Sequence, residues 1–211
     1  MEKKYTALGY WFLLLIPLAI VAFYKPYFQY FPSFVGIRSA LHIHTFIASL
    51  WILLLIAQPL LILKKKFKSH RTLGKISYVL FPLMVASFIP LMINVAQSPF
   101  PKALFFSVAD LTLLIVFYGL AIYHKKKVQL HMRYMILTAI VFLGPTVGRI
   151  GGIWFNQPPL ISQGIQYLLI AAILIALIMR DRPDGQRSKP YLTGSVLYVI
   201  HTAAFYSVFI E

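Results

Sequence analysis

Seven apolar runs, each close to the ~20 residues that an α-helix needs to cross ~30 Å of hydrocarbon, alternate with short polar intervals along this 211-residue chain. They predict transmembrane helices over Leu8–Tyr24, Ala40–Leu63, Leu73–Ala96, Ala103–Tyr123, Met132–Trp154, Ile161–Met179 and Leu192–Ile210. The first run has no small-residue cleavage site and leads into the aromatic segment YKPYFQYFPSF, so it reads as a span and not as a signal peptide. The expected fold is an all-α, polytopic transmembrane bundle of about seven helices, one integral membrane domain over 1–211.

Charge adds the orientation. The chain is 60% hydrophobic and 12% charged, where soluble proteins average about 25% charged. Its net charge of +15 is unevenly placed: with Lys3 and Lys4, the intervals KKKFKSHRTLGK, HKKKVQLHMR and RDRPDGQRSK hold 16 of the 20 Lys and Arg residues. The intervals QSPFPK and NQPPL are nearly uncharged. The positive-inside rule then puts the N-terminus in the cytoplasm and the C-terminus outside. A multi-pass protein of a bacterial inner (plasma) membrane fits, with anionic headgroups as the partner of the basic intervals. Nucleic acid is not expected as a partner, because no soluble domain, aromatic platform or recognition motif accompanies the charge. With no cysteine in the chain, disulfides, thiolate metal sites, c-type haem attachment and iron–sulfur clusters are excluded.

Candidate chemistry lies in the few polar residues within the spans. Apart from Lys75 and Arg133 at segment ends, Asp110 and Arg149 are the only formally charged side chains inside the apolar runs, and a charge in hydrocarbon costs at least ~2.5–3.5 kcal/mol unless it is paired, solvated or used. The simplest expectation is an Asp110–Arg149 ion pair in the outer half. His44, Trp51 and Gln58 recur every seven residues and share a helix face, as do Ser87 and Asn94. His42, His44, Asn94, Asp110, Arg149 and, deeper, His201 belong to the outer half. His70, Arg71, His124, His131 and Arg133 belong to the cytoplasmic rim, where lipid headgroups or snorkelling explain the arginines. Pro145 should kink its helix just before a GRIGG turn.

Three chemistries fit the outer group. His44 and His201 could ligate the iron of a b-type haem, with Arg149 near a propionate. His42, His44, Asp110 and His201 could supply N and O ligands to zinc, or His44, Asp110 and His201 could pass protons without a metal.

At the rim, SHRTLGKISYVLFPLM and HKKKVQLHMRYMILTAIVFLGPTVGR carry a resemblance. The chain resembles an uncharacterised bacterial multi-pass family, domain of unknown function 2306, over roughly Leu41 to Trp154. The matching positions are His70, Arg71 and Gly74, then His131, Arg133 and Met135, with His44 and Arg149 as companions. It is more distantly similar to small membrane proteins that help mature haem–copper oxidases. The resemblance implies a membrane location and a helical fold, and supplies no reaction.

Other seven-span classes fit less well. A retinal protein needs a Schiff-base Lys where this chain has His201. The progestin–adiponectin receptor and ceramidase superfamily closes with His-x-x-x-His, and here Phe205 follows His201 by four. Desaturase histidine boxes and convincing inverted repeats are missing. The reading is a binding or accessory protein with a polar pocket in the outer half, in a haem or respiratory-complex setting. A zinc-dependent intramembrane hydrolase and a small proton-coupled carrier are the rivals.

Overall fold

The computed structural model describes residues 5–181 and 185–210. Among them the regular structure is entirely helical, and six helices are long and apolar enough to cross a membrane. The chain packs as two compact units, Met1–Pro101 and Lys102–Glu211, where the sequence suggests one domain.

In the first unit, α1 (Leu8–Leu13) and α2 (Leu15–Phe23) are one apolar rod with a break. Pro17 causes it: its nitrogen cannot bond the carbonyl of Leu13, where α1 stops. This rod is shorter than the other spans. It nevertheless runs beside α3 (Ser39–Leu63), with Gly9 against Leu60 at one end and Tyr27 hydrogen-bonded to His42 at the other. At 1.5 Å per residue, that stretch of α3 is about 27 Å long, close to the hydrocarbon thickness. The rod therefore behaves as the seventh crossing.

α3 and α4 (Phe67–Ala96) form an antiparallel hairpin whose contacts follow the sevenfold spacing seen in the sequence. Arg38 bonds Asn94, His44 Nδ1 lies 2.9 Å from Ser87 Oγ, and the Trp51 ring meets Phe81 at 5.3 Å. Two turns further along, the Gln58 amide, with its carbonyl toward the Gly74 N–H, reaches the His70 imidazole. The two polar-bearing faces predicted separately are thus packed on each other.

α4 begins at Phe67, six residues before the predicted start, so SHRTLGK is helix and not a turn into one. The only break is Lys64–Lys66, where Lys65 takes a left-handed conformation at φ 57°. Thirty residues make α4 about 45 Å long, enough to carry its basic first turns beyond the hydrocarbon.

The second unit holds α5 (Leu104–Tyr123), α6 (Val128–Val141), α7 (Arg149–Phe155), α8 (Pro159–Asp181) and α9 (Gly185–Phe209). α6 and α7 are joined by a π-helical segment, Gly144–Gly148. Pro145 again sets the break, since the carbonyl it leaves unbonded belongs to Val141, the last residue of α6. The expected GRIGG turn is a correction: wider π winding absorbs the proline, and the chain continues as α7 until Asn156 ends it at φ 50°. Small residues let neighbouring helices close in. Leu137 of α6 fills the place of a side chain at Gly194 of α9, and Ser162 of α8 does the same at Gly151 of α7.

Candidate functional site: a carboxylate, an imidazole and a phenol in the second unit

Three helices bring one polar side chain each to the same level. Asp110 is six residues in from the start of α5, Tyr167 eight in from the start of α8, and His201 eight back from the end of α9. At 1.5 Å per residue all three lie roughly 9–12 Å below the uncharged, outer ends of these helices.

His201 is the centre. Its Nδ1 lies 3.0 Å from the Tyr167 hydroxyl, and its Nε2 lies 3.3 Å from Asp110 Oδ1. The Asp110 approach is close but bent, without a well-aligned N–H···O bond, so it is mainly electrostatic. A carboxylate only accepts, so the neutral imidazole that satisfies both neighbours carries its proton on Nε2 and accepts from Tyr167 on Nδ1. Phe105 and Tyr198 flank the ring, at centroid distances of 5.2 and 6.2 Å. Outward of it, Phe105, Phe106, Phe205 and Phe209 form an aromatic cluster between α5 and α9. The site is dry on that side.

Asp110 reaches its place because α6 gives way at the π segment. A Cβ built on Gly144 would stand 2.6 Å from Asp110 Oδ2. Gly144→Ala is therefore expected to push the carboxylate off His201 or strain the segment, at a cost of about 1–3 kcal/mol. Thermal unfolding in detergent would measure it, and unchanged stability together with an unmoved His201 ring signal by NMR would count against this packing.

Asp110 makes its close contact with His201, while the expected partner Arg149 attracts it electrostatically. Arg149 is exposed, donates from Nε to its own helix at the Pro145 carbonyl (3.2 Å), and attracts Asp110 as a longer-range charge. The other outer residues belong to the first unit: His42 to Tyr27 and His44 to Ser87, with His44 also packed on Phe88 at 4.4 Å. Among the described residues no three His, Asp or Glu side chains converge as metal ligands. Of the residues expected as zinc ligands, His42 and His44 lie in the first unit and Asp110 and His201 in the second. Both ring nitrogens of His201 face protein partners within the second unit.

The cytoplasmic-rim residues are helix ties. His131 Nδ1 donates to the Ala121 carbonyl at 2.8 Å, joining α6 to α5, and His124 stacks on Tyr134. Arg133 does not snorkel: it is fully buried, and its Nε donates to Asp181 Oδ2 at 2.6 Å, joining α6 to α8. Its guanidinium also donates to the Gln129 carbonyl, and Gln129 Oε1 in turn accepts from Arg187. Arg71 is exposed on α4, as a headgroup-facing residue would be. Sequence reasoning missed Asp181, Tyr167, Gln163 and Gln166. Asp181 hides at the boundary of a charged interval, whereas the spacing of Gln163, Gln166 and Tyr167 on one α8 face was a usable signal.

Along the buried face of α8 the chemistry changes with depth. Ser162, Gln163, Gln166 and Tyr167 fill its outer part, and Ile170 and Leu174 follow below. Leu113, Leu114 and Phe117 of α5 and Leu137 of α6 are likewise buried beneath the polar level. The polar layer is therefore confined to the outer third. No family model, curated protein or solved structure matches the chain.

Proposed function

We propose that this membrane protein is a proton-linked binding protein of a bacterial-type inner membrane, with its site in the outer half of the second unit and its basic helix ends in the cytoplasm. The carrying observation is the Asp110–His201–Tyr167 chain, a carboxylate, an imidazole and a phenol in contact inside a hydrophobic helical unit. Ionisable residues in hydrocarbon are expensive, and their persistence points to use.

The arrangement couples a proton to a change of hydrogen bonding. With a neutral ring, Tyr167 donates to Nδ1. When His201 takes a proton, Nδ1 becomes a donor, and the Tyr167 hydroxyl must turn and accept. The charge of Asp110 steadies the imidazolium that results, and the proton returns when the phenol turns back. The apolar layer formed by Ile170, Leu174 and Phe117 separates this site from the cytoplasmic side.

Infrared difference spectra of the full chain in nanodiscs, taken across a pH step, test the reading. Carboxyl, imidazole and phenol bands should change together over one pH interval. Bands that move independently, or none from a carboxyl group, would sink it.

A further inference from the structure

One face of α9 carries a groove that the proton-linked chain does not use. Its volume is about 440 Å³, it is open along one side, and it is lined by Lys189, Leu192, Thr193, Val196 and Leu197. Intervals of three and four residues put these five on the same helix face. The opposite face is the packed one: Tyr191 and Tyr198 are buried there, and Leu137 of α6 fills the place of a side chain at Gly194. Along the groove Leu192 and Val196 are 48% and 60% exposed.

Polarity runs along the groove in one direction. Lys189 lies in the first turns of α9, at its basic end, and Leu197 lies about 12 Å further toward the middle of the span. Arg187 nearby is tied to Gln129, whereas Lys189 is exposed and none of the described residues takes its ammonium. The Thr193 hydroxyl donates to the Lys189 carbonyl at 3.0 Å, so it is satisfied within the helix. Of the five lining side chains, only the ammonium is left to meet a polar group.

An occupant must match that order, with an anion at the rim and a flexible apolar chain below it. A phospholipid is built so, and a soluble anion is not. A zwitterionic headgroup brings an ammonium of its own, and the interval RDRPDGQRSK already holds four Lys and Arg against two Asp.

We propose that this groove binds one anionic phospholipid, with its phosphate on Lys189 and an acyl chain along Leu192, Val196 and Leu197. The lipid belongs to the leaflet that faces the basic helix ends. General attraction of basic intervals for headgroups needs no fixed place; this site has one lysine and one apolar channel. It goes beyond the proton-linked reading and uses none of its residues.

Photolabelling of the full chain in phosphatidylcholine nanodiscs, by a phosphatidylglycerol probe with a diazirine in its acyl chain, tests it. Adducts should concentrate in residues 189–197, and unlabelled phosphatidylglycerol should compete them away. A phosphatidylcholine probe with the same diazirine should show no such concentration. Lys189→Gln should lower the phosphatidylglycerol adduct about fivefold, the effect of one basic residue at a membrane surface. Lys126→Gln removes the same charge from another basic interval and should leave the adduct unchanged. Val196→Trp keeps the lysine and obstructs the channel, so it should lose the adduct as well. Equal labelling of 189–197 by both probes, or equal losses in Lys189→Gln and Lys126→Gln, would overturn the proposal and leave ordinary annular lipid. Loss of the adduct on adding inorganic phosphate, but not chloride at equal ionic strength, would overturn it in favour of a free anion.

Discussion

Replacing Arg133 by alanine is expected to destabilise the second unit by about 3–5 kcal/mol, the usual result of stranding one member of a buried ion pair. Asp181 is 1% exposed, and after the change its carboxylate would face the helix interface without the guanidinium that meets it at 2.6 Å. Asp181→Ala should be as damaging, for the mirror-image reason. The double variant Arg133→Met with Asp181→Leu should recover most of the loss, because apolar replacements of similar volume often match or exceed a buried pair. Unfolding midpoints for the four proteins measure these differences. Two single changes that each cost under about 1 kcal/mol would show the pair to be solvated like a surface bridge, contrary to its burial.

The largest functional effect is expected from Asp110→Asn. The amide is nearly isosteric, so packing against Gly144 is kept, while the charge facing His201 is removed. The coupled infrared response should disappear, with at most a small change in stability. His201→Phe separates the roles further. It retains a ring beside Phe105 and Tyr198 but removes both nitrogens, so Tyr167 loses its partner and the coupled response should again vanish. If Asp110→Asn leaves the imidazole and phenol bands changing together as before, the carboxylate has no part in the exchange.

These two predictions concern different ends of the same helices, and they divide the polar residues by role. At the cytoplasmic end, Arg133, Asp181 and His131 are matched to partners and hold α5, α6 and α8 in register. In the outer third, Tyr167, His201 and Asp110 are in contact but unevenly satisfied, and Gln163, Gln166 and Tyr198 present atoms with no protein partner. A membrane protein that needed only to fold would be more stable with leucine at Gln166.

Much of this was legible in the residue order. Apolar runs near 20 residues long can satisfy their backbone in lipid only as helices, which fixed the fold class and all but the terminal turns of the spans. Basic intervals predict the orientation. The seven-residue spacing of His44, Trp51 and Gln58 marked the face of α3 that α4 covers, because a helix repeats its direction every two turns. Pro145 marked where its helix would break, by the carbonyl four residues before it, whereas Pro59, Pro82, Pro90 and Pro190 lie inside unbroken helices.

What the order of residues left open was which helix faces which. A buried contact between positions 133 and 181, or between 110 and 201, depends on packing, and local periodicity carries no record of it. The expected pair was therefore the two charges inside the spans, Asp110 and Arg149, while the tertiary structure gives Asp110 to His201 and gives Arg133 to Asp181. The reason is close approach. Glycines at 144, 148 and 194 let helices meet at places where any side chain would hold them apart. The chain's own sequence decided that it crosses the membrane; helix packing alone decided which polar groups meet inside it.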